Sequence, residues 1–429
     1  MEIIDRTKQP QIRSIKKAVL LKPAKYKLDN EIPVFAFNAG TQDVVKIQFV
    51  FRAGSWFQSE VLTAFSTNKL IIEGTKKHKG AELASEIDFY GAYIELKAEK
   101  DMAYVSLYTQ NKHLKNTLPI LEEIIRQPVF PENELRTFMQ NQKQDFMIDC
   151  NKVNFIARSK FNELIFGKDH PYGRNAEAED FDKVKTADLL AFHQKFYRAE
   201  NCTVIISGHV NHVTIKDLNC YFGDDRWKQK KEIKIPPYKI TTTKTRENII
   251  IKEKVSQSSL RIGKILFNKT HPDFHGLQVL NTLLGGYFGS RLMTNIREDK
   301  GFTYGIGSAI VSMHHSGFFF ITSEVGVDVC NRAIEEIYHE IKKLRTQKIS
   351  KNELELVRSY MTGTFLRSID GPFAIADRFL GIYEYGLSYD YYDQLINTIK
   401  TITPVQLAEL AEKYLSEDSM IELVVGNKN

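Results

Sequence analysis

The sequence has few cysteines and no long hydrophobic segment. Its four cysteines are scattered, with no CxxC pair among them. This spacing argues against a disulfide framework and favours a reducing compartment or indifference to redox state. No run of about 18 apolar residues occurs, so we expect no membrane-spanning helix. The first residues also lack the apolar core of a secretory signal, and we therefore expect a cytoplasmic protein.

The sequence also lacks the usual signals of nucleotide, nucleic-acid and serine-hydrolase chemistry. It contains no GxSxG motif and no Walker-type phosphate loop. Its net charge of +6 is mild for 429 residues, and no Lys/Arg cluster alternates with aromatic residues. We therefore expect no nucleic-acid partner. With 42% hydrophobic and 26% charged residues the composition is that of a globular protein, long enough for two or more domains.

The chain contains an internal repeat. The segment "PENELRTFMQNQ" resembles "SKNELELVRSYM", and "VKTADLLAFHQKFYRAENCTVIISGHV" resembles "ITPVQLAELAEKYLSEDSMIELVVGNK". Three matched pairs have separations of 219, 217 and 218 residues, namely Leu135 and Leu354, Thr186 and Thr403, and Gly208 and Gly426. Agreement within two residues indicates that the second half duplicates the first.

Each half has the same predicted order of elements. A β-rich start leads to an amphipathic helix, then to a strand pair, then to several helices and a short β-branched strand. This order predicts an α+β fold of two homologous domains, each a mostly antiparallel sheet packed with helices, together forming half of a clam-shell. We expect the domains at residues 1–222 and 246–429. Residues 223–245, rich in charge and carrying Pro236-Pro237, are expected to be an extended linker.

One predicted helix carries an unusual set of residues. The stretch "LTAFSTNKLIIEGTKK" is typical of a helix that ends at Gly74 as a left-handed C-cap. Phe65, Asn68 and Lys69 lie at i, i+3 and i+4 and so share one face. This spacing suits a metal site, but a phenyl ring, an amide and an ammonium are not zinc ligands.

Several motifs together resemble one family. They are "LDNEIPV", in which Glu31 replaces a glycine, "FRAGSW", "RQPVFPENEL", "LIFGKDHPYGR" and "LNTLLGGYFGSRLMTNIREDKGFTYGIGS". In their order and spacing the chain resembles the insulinase/pitrilysin-type zinc metallopeptidases, whose zinc motif is H-x-x-E-H. The resemblance covers nearly the whole chain.

The resemblance implies that the zinc site of the first half is degenerate. It places Phe65 and Lys69 at the two His positions, Asn68 at the general-base Glu, and Asp145 at the third zinc ligand. Asn68 cannot accept a proton from water at neutral pH, and Asp145 alone cannot hold zinc. We therefore expect this chain to bind no metal. Lys69 is expected either to form an ion pair with Asp145 or to be solvated in the cleft.

The resemblance implies that the first half departs from the family's peptide-binding pattern and that the second half keeps a catalytic motif. The strand that receives the peptide in active members has Glu95-Leu96 in place of Asn-Ala, which puts the usual peptide-binding mode in doubt. The second half keeps the family pattern R-E-x-x-G-x-x-Y as "REDKGFTY". This implies that Arg297 and Tyr304 stabilise the substrate carbonyl and its oxyanion. The alternative is that Arg297 caps a helix and Tyr304 packs on a strand.

These features predict a non-catalytic, substrate-binding subunit of a heterodimeric zinc metallopeptidase. The expected partners are a homologous zinc-bearing peptidase subunit and a peptide substrate. In this hypothesis the partner carries the zinc, while Arg297 and Tyr304 act in trans. The alternative is a structural or scaffold subunit of a larger complex with no proteolytic role.

Overall fold

The computed structural model describes residue 7, residues 20–228 and residues 237–428. Residues 229–236 of the predicted linker lie outside the described residues. The described end of that linker is extended and runs beside the first half, where the Thr241 and Thr243 amides donate to Phe166 O (3.1 Å) and Leu164 O (2.9 Å). The predicted domain boundaries themselves stay a prediction.

The first half is built on a six-stranded sheet. Within residues 20–228 its strands are β1 (Ala24–Lys27), β2 (Pro33–Asn38), β3 (Val44–Phe51), β4 (Tyr93–Ala98), β5 (Ala103–Gln110) and β6 (Cys202–Gly208). Their order is β1-β2-β6-β3-β5-β4, with β2 and β6 parallel and the other neighbours antiparallel. The central strand β3 reads "VVKIQFVF" and is buried on both faces, although Lys46 and Gln48 interrupt its apolar pattern on one of them.

The second sheet repeats this topology. Within residues 237–428 its strands are β7 (Glu247–Ile251), β8 (Gln257–Leu266), β9 (Ile306–Met313), β10 (Ser316–Gly326) and β11 (Ile421–Gly426). Their order, β7-β11-β8-β10-β9, corresponds strand for strand to β2-β6-β3-β5-β4. The one parallel pair, β7 with β11, corresponds to the parallel pair β2 with β6. The predicted fold of two homologous α+β domains is confirmed.

Helices cover both sheets. The first half contains α1 (Thr63–Leu70), α2 (Gly80–Phe89), α3 (Leu114–Arg126), α4 (Glu132–Asp149), α5 (Val153–Phe166), α6 (Thr186–Phe196) and α7 (His212–Phe222). The second half contains α8 (Phe274–Asn281), α9 (Cys330–Thr346), α10 (Lys351–Arg367), α11 (Pro372–Tyr383), α12 (Asp390–Thr401) and α13 (Pro404–Tyr414). Leu135 on α4 and Leu354 on α10 each lie on the second helix after the hairpin of their half, as the repeat predicts.

The C-cap prediction for Gly74 is wrong. Helix α1 ends at Leu70, and Gly74 instead forms a β-bridge with Lys79. Its backbone packs so closely on the start of α4 that an added Cβ would lie 3.0 Å from Pro131 Cγ. The glycine is therefore needed for close packing and not for a left-handed turn.

The two halves exchange one helix each. Helix α5 of the first half packs its Phe161 face on strands β8 and β11 of the second sheet. Helix α11, at the equivalent place in the second half, packs on β2 and β6 of the first sheet, where the Phe35 and Phe379 rings lie 4.8 Å apart. Each sheet is thus covered on one face by a helix of the other half.

The tips of two equivalent hairpins also meet between the halves. Asp101, in the turn between β4 and β5, accepts hydrogen bonds from the Tyr172 hydroxyl (2.6 Å) and from the His314 amide (3.2 Å) in the turn between β9 and β10. The next residue, His315, stacks on Trp56 with ring centroids 3.9 Å apart. These contacts fix the position of the second half relative to the helix that carries Phe65.

Candidate functional site

In the first half, Phe65 fills space with apolar contacts. It is half-buried on α1, and its ring lies 5.7 Å from the ring of Phe138 on α4. One residue further along both helices, the Ser66 hydroxyl lies 3.5 Å from the sulfur of Met139. Helices α1 and α4 are therefore joined by aromatic and thioether side chains where the resemblance places a metal.

Asn68 is a structural residue. It is fully buried, and its Nδ2 donates to Tyr104 O on β5 (3.1 Å) and to the Tyr197 hydroxyl at the end of α6 (3.3 Å). Burial raises the pKa of Tyr197, so this phenol stays neutral. Asn68 ties α1 to the sheet and to α6, which a carboxylate at this position could not do because it has no N–H to donate.

The expected ion pair between Lys69 and Asp145 is not formed. The Lys69 ammonium instead donates to Leu96 O on β4 (2.5 Å), an edge strand of the first sheet. Asp145 is exposed and has no hydrogen bond or ion pair within the described part of the chain. The Lys69 ammonium is thus directed to the sheet and not to α4. The alternative that Lys69 is simply solvated is also wrong, since it occupies a backbone carbonyl of the strand.

The residues at these positions do not fit zinc. A phenyl ring, a hydrogen-bonded amide and an ammonium offer no ligand, and one distant carboxylate cannot replace three protein ligands. Among residues 7, 20–228 and 237–428 there is no group of three or more His, Cys, Asp or Glu side chains that could hold a metal ion.

The second half assembles the Arg297 and Tyr304 motif in an irregular segment. Arg297 lies on a π-helical segment, Met293–Asp299, a conformation that is frequent at functional sites. Gly301 follows with φ of 65°, and the Phe302 amide donates to Ile296 O (3.0 Å), so the chain reverses as at a left-handed helix cap. The glycine of "REDKGFTY" is therefore required by its backbone conformation.

This reversal brings Arg297 and Tyr304 together. Arg297 Nε donates to Tyr304 O (2.9 Å), and the guanidinium lies 4.7 Å above the ring of Phe288. Tyr304 is 92% exposed and Phe288 is 61% exposed. The alternative in which Tyr304 packs on a strand is wrong, because its side chain projects into solvent.

Phe288 is a member of this group that the sequence reasoning did not single out. It lies within the quoted motif "GGYFGSRL", and its position nine residues before Arg297 gives no periodic signal. The cation–π contact depends on the turn from Tyr287 to Ser290, which local patterning does not predict.

The two sites lie far apart in the same chain. Tyr304 stands just before β9, whereas Met313, at the other end of β9, lines a cavity of about 550 Å³ together with Phe65. A strand of eight residues spans about 23 Å. The Arg297 group is therefore at the opposite end of β9 from the degenerate zinc position and does not face it.

Comparisons with known proteins agree on one family. The model "Insulinase (Peptidase family M16)" matches residues 34–160, and "Peptidase M16 inactive domain" matches residues 183–361. The uncharacterized zinc protease YmxG of Bacillus subtilis (strain 168) is 23% identical over 410 residues, covering 94% of this chain and 98% of YmxG. The mitochondrial-processing peptidase subunit beta of Rattus norvegicus is 22% identical over 372 residues, covering 82% of this chain and 73% of that subunit.

A solved structure confirms the fold. The crystal structure of a peptidase M16 inactive domain from Pseudomonas fluorescens matches with a TM-score of 0.87 and 22% identity, covering 95% of this chain and 98% of that one. No helix within the described residues is long and apolar enough to cross a membrane.

Proposed function

Because the chain belongs to the M16 family of insulinase-type peptidases as a non-catalytic member, we propose that it is the substrate-binding subunit of a heterodimeric zinc metallopeptidase. One observation carries this proposal. The zinc helix is filled by packed and hydrogen-bonded side chains, whereas the Arg297 group is assembled and open to solvent. A chain that had lost all its chemistry would have no need of a solvent-exposed tyrosine beside a positioned guanidinium.

The partner in this proposal is a homologous chain with an intact H-x-x-E-H motif. The similarity to subunit beta of the mitochondrial-processing peptidase, named as one subunit of an enzyme, is consistent with a peptidase built from more than one chain. The partner would supply the zinc and the attacking water. The separation of Tyr304 from this chain's own zinc position along β9 favours action across a subunit contact.

The role of this chain's residues follows from their donors. Cleavage of a peptide bond places negative charge on the former carbonyl oxygen, and a permanently charged guanidinium and a phenol can both donate to it. Arg297 Nε donates to the Tyr304 carbonyl, which fixes the angle of the guanidinium, and one terminal nitrogen lies 3.8 Å from the carboxylate of Glu298, too far for a hydrogen bond. In this proposal the terminal N–H groups donate to the substrate. Stacking on the Phe288 ring further restricts the conformations of the Arg297 side chain. Little conformational entropy would therefore be lost when Arg297 binds the substrate.

The test uses the complex of this chain with its zinc-bearing partner and a quenched peptide substrate. The mixture should cleave peptides that neither chain cleaves alone. Arg297→Ala and Tyr304→Phe should each lower kcat by roughly 100- to 1000-fold, as the loss of an oxyanion donor does. Arg332→Ala is a matched control, because Arg332 also lies over an aromatic ring, that of Phe302 at 5.0 Å, but is outside the motif.

Size-exclusion profiles of each variant complex separate catalysis from assembly. We expect all three variants to form the complex, because Tyr304 and Arg332 are exposed, Arg297 is half-buried, and none of the three is part of the core. Full activity with both Arg297 and Tyr304 substituted would leave the scaffold role as the better account. Loss of the complex itself would mean that the pair is structural.

A further inference from the structure

Lys100 is an ammonium with too few partners. It lies in the turn between β4 and β5, and its Nζ makes one long hydrogen bond, 3.4 Å, to Pro171 O. The neighbouring carboxylate of Asp101 is turned to Tyr172 and His314, and no ion pair of Lys100 occurs among the described residues. Burial lowers the pKa of Lys100, and the nearby carboxylate of Asp101 offsets this effect only in part.

A second unsatisfied polar group lies beside it. The hydroxyl oxygen of Ser55 is buried and has no hydrogen-bond partner in the described part of the chain. Ser55 and Lys100 line the same two cavities, one of about 550 Å³ and one of about 470 Å³, and Phe65 also lines both. The buried Ser55 hydroxyl and the Lys100 ammonium both have hydrogen-bond donors without good acceptors. A carboxylate could accept from both.

The charges of the two cavities decide which of them suits an anion. The 550 Å³ cavity, between the halves, is also lined by the three acidic residues Glu99, Asp101 and Glu384. The 470 Å³ cavity is lined by three basic residues, Lys100, Lys160 and Arg174, and by one acidic residue, Glu163, which is paired with Lys160 (2.7 Å). An anion is therefore favoured in the 470 Å³ cavity and repelled from its neighbour.

The remaining wall of the 470 Å³ cavity is apolar. It is formed by side chains from the start of α1, from α4 and α5, and from the segment between α5 and α6. These side chains include Leu62, Phe65, Phe146, Phe155 and Phe181. Its volume is within the range of small-ligand sites. The cavity thus combines an apolar, aromatic space with the Lys100 ammonium, the Ser55 hydroxyl and the Arg174 guanidinium, which also donates to Ser59 O (2.8 Å).

We propose that this cavity binds the C-terminal residue of a peptide, with the carboxylate on Lys100 and Ser55 and an apolar side chain against the phenylalanines. This assignment rests on the proposed function, in which the chain holds peptides for a catalytic partner. The replacement of a histidine position by Phe65 then has a positive role, because its ring closes the apolar wall of the site.

The test is a binding measurement on the full-length chain alone. A ten-residue peptide ending in phenylalanine is titrated by calorimetry, and the same peptide with a C-terminal amide is titrated in parallel. We expect the free carboxylate to bind about 10- to 100-fold more tightly, the effect of a charge-assisted hydrogen bond. Lys100→Met should reduce this ratio to about 1 and leave the binding of the amide unchanged.

Controls separate the site from general charge. Lys97→Met removes an exposed ammonium of the preceding strand that does not line the cavity, and it should keep the preference for the carboxylate. Ser55→Ala should lower the preference by a few fold. The comparison of the two peptides on the unmodified chain does not depend on the folding of any variant.

Three results would overturn the assignment. They are equal binding of the two peptides, an equal loss in Lys97→Met and Lys100→Met, and binding of decanoate with no binding of either peptide, which would indicate an apolar carboxylate of another source. Because the assay contains no partner and measures no turnover, its failure would not touch the test of Arg297 and Tyr304. Failure of that test would likewise leave the binding result intact.

Discussion

A substitution of Asn68 tests why zinc ligands alone would not restore a zinc site on helix α1. Replacing Asn68 by Glu, the family's general base, removes two hydrogen-bond donations at a fully buried position, those to Tyr104 O and to the Tyr197 hydroxyl. Each is worth about 1 kcal/mol, and the new carboxylate must be desolvated or protonated, which costs about 1–3 kcal/mol more. We therefore expect Asn68→Glu to lower the free energy of unfolding by about 3–5 kcal/mol.

The assay is urea unfolding of the full chain followed by circular dichroism, with Gln144→Glu as the control. Gln144 is an exposed amide on α4, so the same chemical change there should alter stability by less than about 0.5 kcal/mol. Burial raises the pKa of a carboxyl at position 68, so its destabilisation should shrink as the pH falls and the group is neutralised. An Asn68→Glu chain as stable as the parent at pH 7 would refute the structural role of Asn68.

Three further predictions concern strain, pH and metal. Glu31 has φ of 73°, so Glu31→Gly should raise Tm by about 1–2 °C in a thermal melt, whereas Glu31→Ala, which keeps the Cβ, should not. Burial lowers the pKa of His193 from 6.5 to about 4 in the folded chain. Between pH 6.5 and pH 4 the histidine is therefore protonated in the unfolded chain but not in the folded one. The free energy of unfolding should fall by up to about 3 kcal/mol as the pH drops through this range. Urea midpoints at pH 7.5 and 4.5 should show a smaller fall in His193→Gln, and an equal fall would exclude this histidine as the cause. The last variant rebuilds the zinc-ligand types with four substitutions, Phe65→His, Asn68→Glu, Lys69→His and Asp145→Glu. It should bind zinc weakly, as measured by elemental analysis, and show negligible peptidase turnover, because the groups that orient the ligands are not restored. Activity like that of an active family member would contradict this prediction.

The fold was accessible from the sequence because duplication leaves a long-range signal. Three separations near 218 residues and a repeated order of elements predict two α+β domains, and the strand orders of the two sheets correspond. The exchange of α5 and α11 was not accessible. Both helices are amphipathic, and their hydrophobic pattern does not indicate which of the two sheets the apolar face packs against.

The candidate site was predictable in its residue types but not in its contacts. The side chains of Phe65, Asn68 and Lys69 predict the absence of zinc chemistry, because none of them is a zinc ligand. Their partners are tertiary, since Lys69 binds a carbonyl of β4 and Asn68 binds atoms 36 and 129 residues away in sequence. Gly74 shows the same limit, because a glycine that ends a helix and a glycine pressed against Pro131 look alike in the sequence.

The Lys69 contact links the loss of zinc to the change in peptide binding. Strand β4 is one of the two edge strands of the first sheet, and an edge strand can accept a further strand through its free backbone groups. Lys69 donates to the carbonyl of Leu96, and the carboxylate of Glu95 accepts from the Tyr108 hydroxyl (2.9 Å). A peptide N–H approaching Leu96 O would have to share this carbonyl with an ammonium. The substitution that places an ammonium at the second zinc-ligand position therefore also disfavours strand addition at β4.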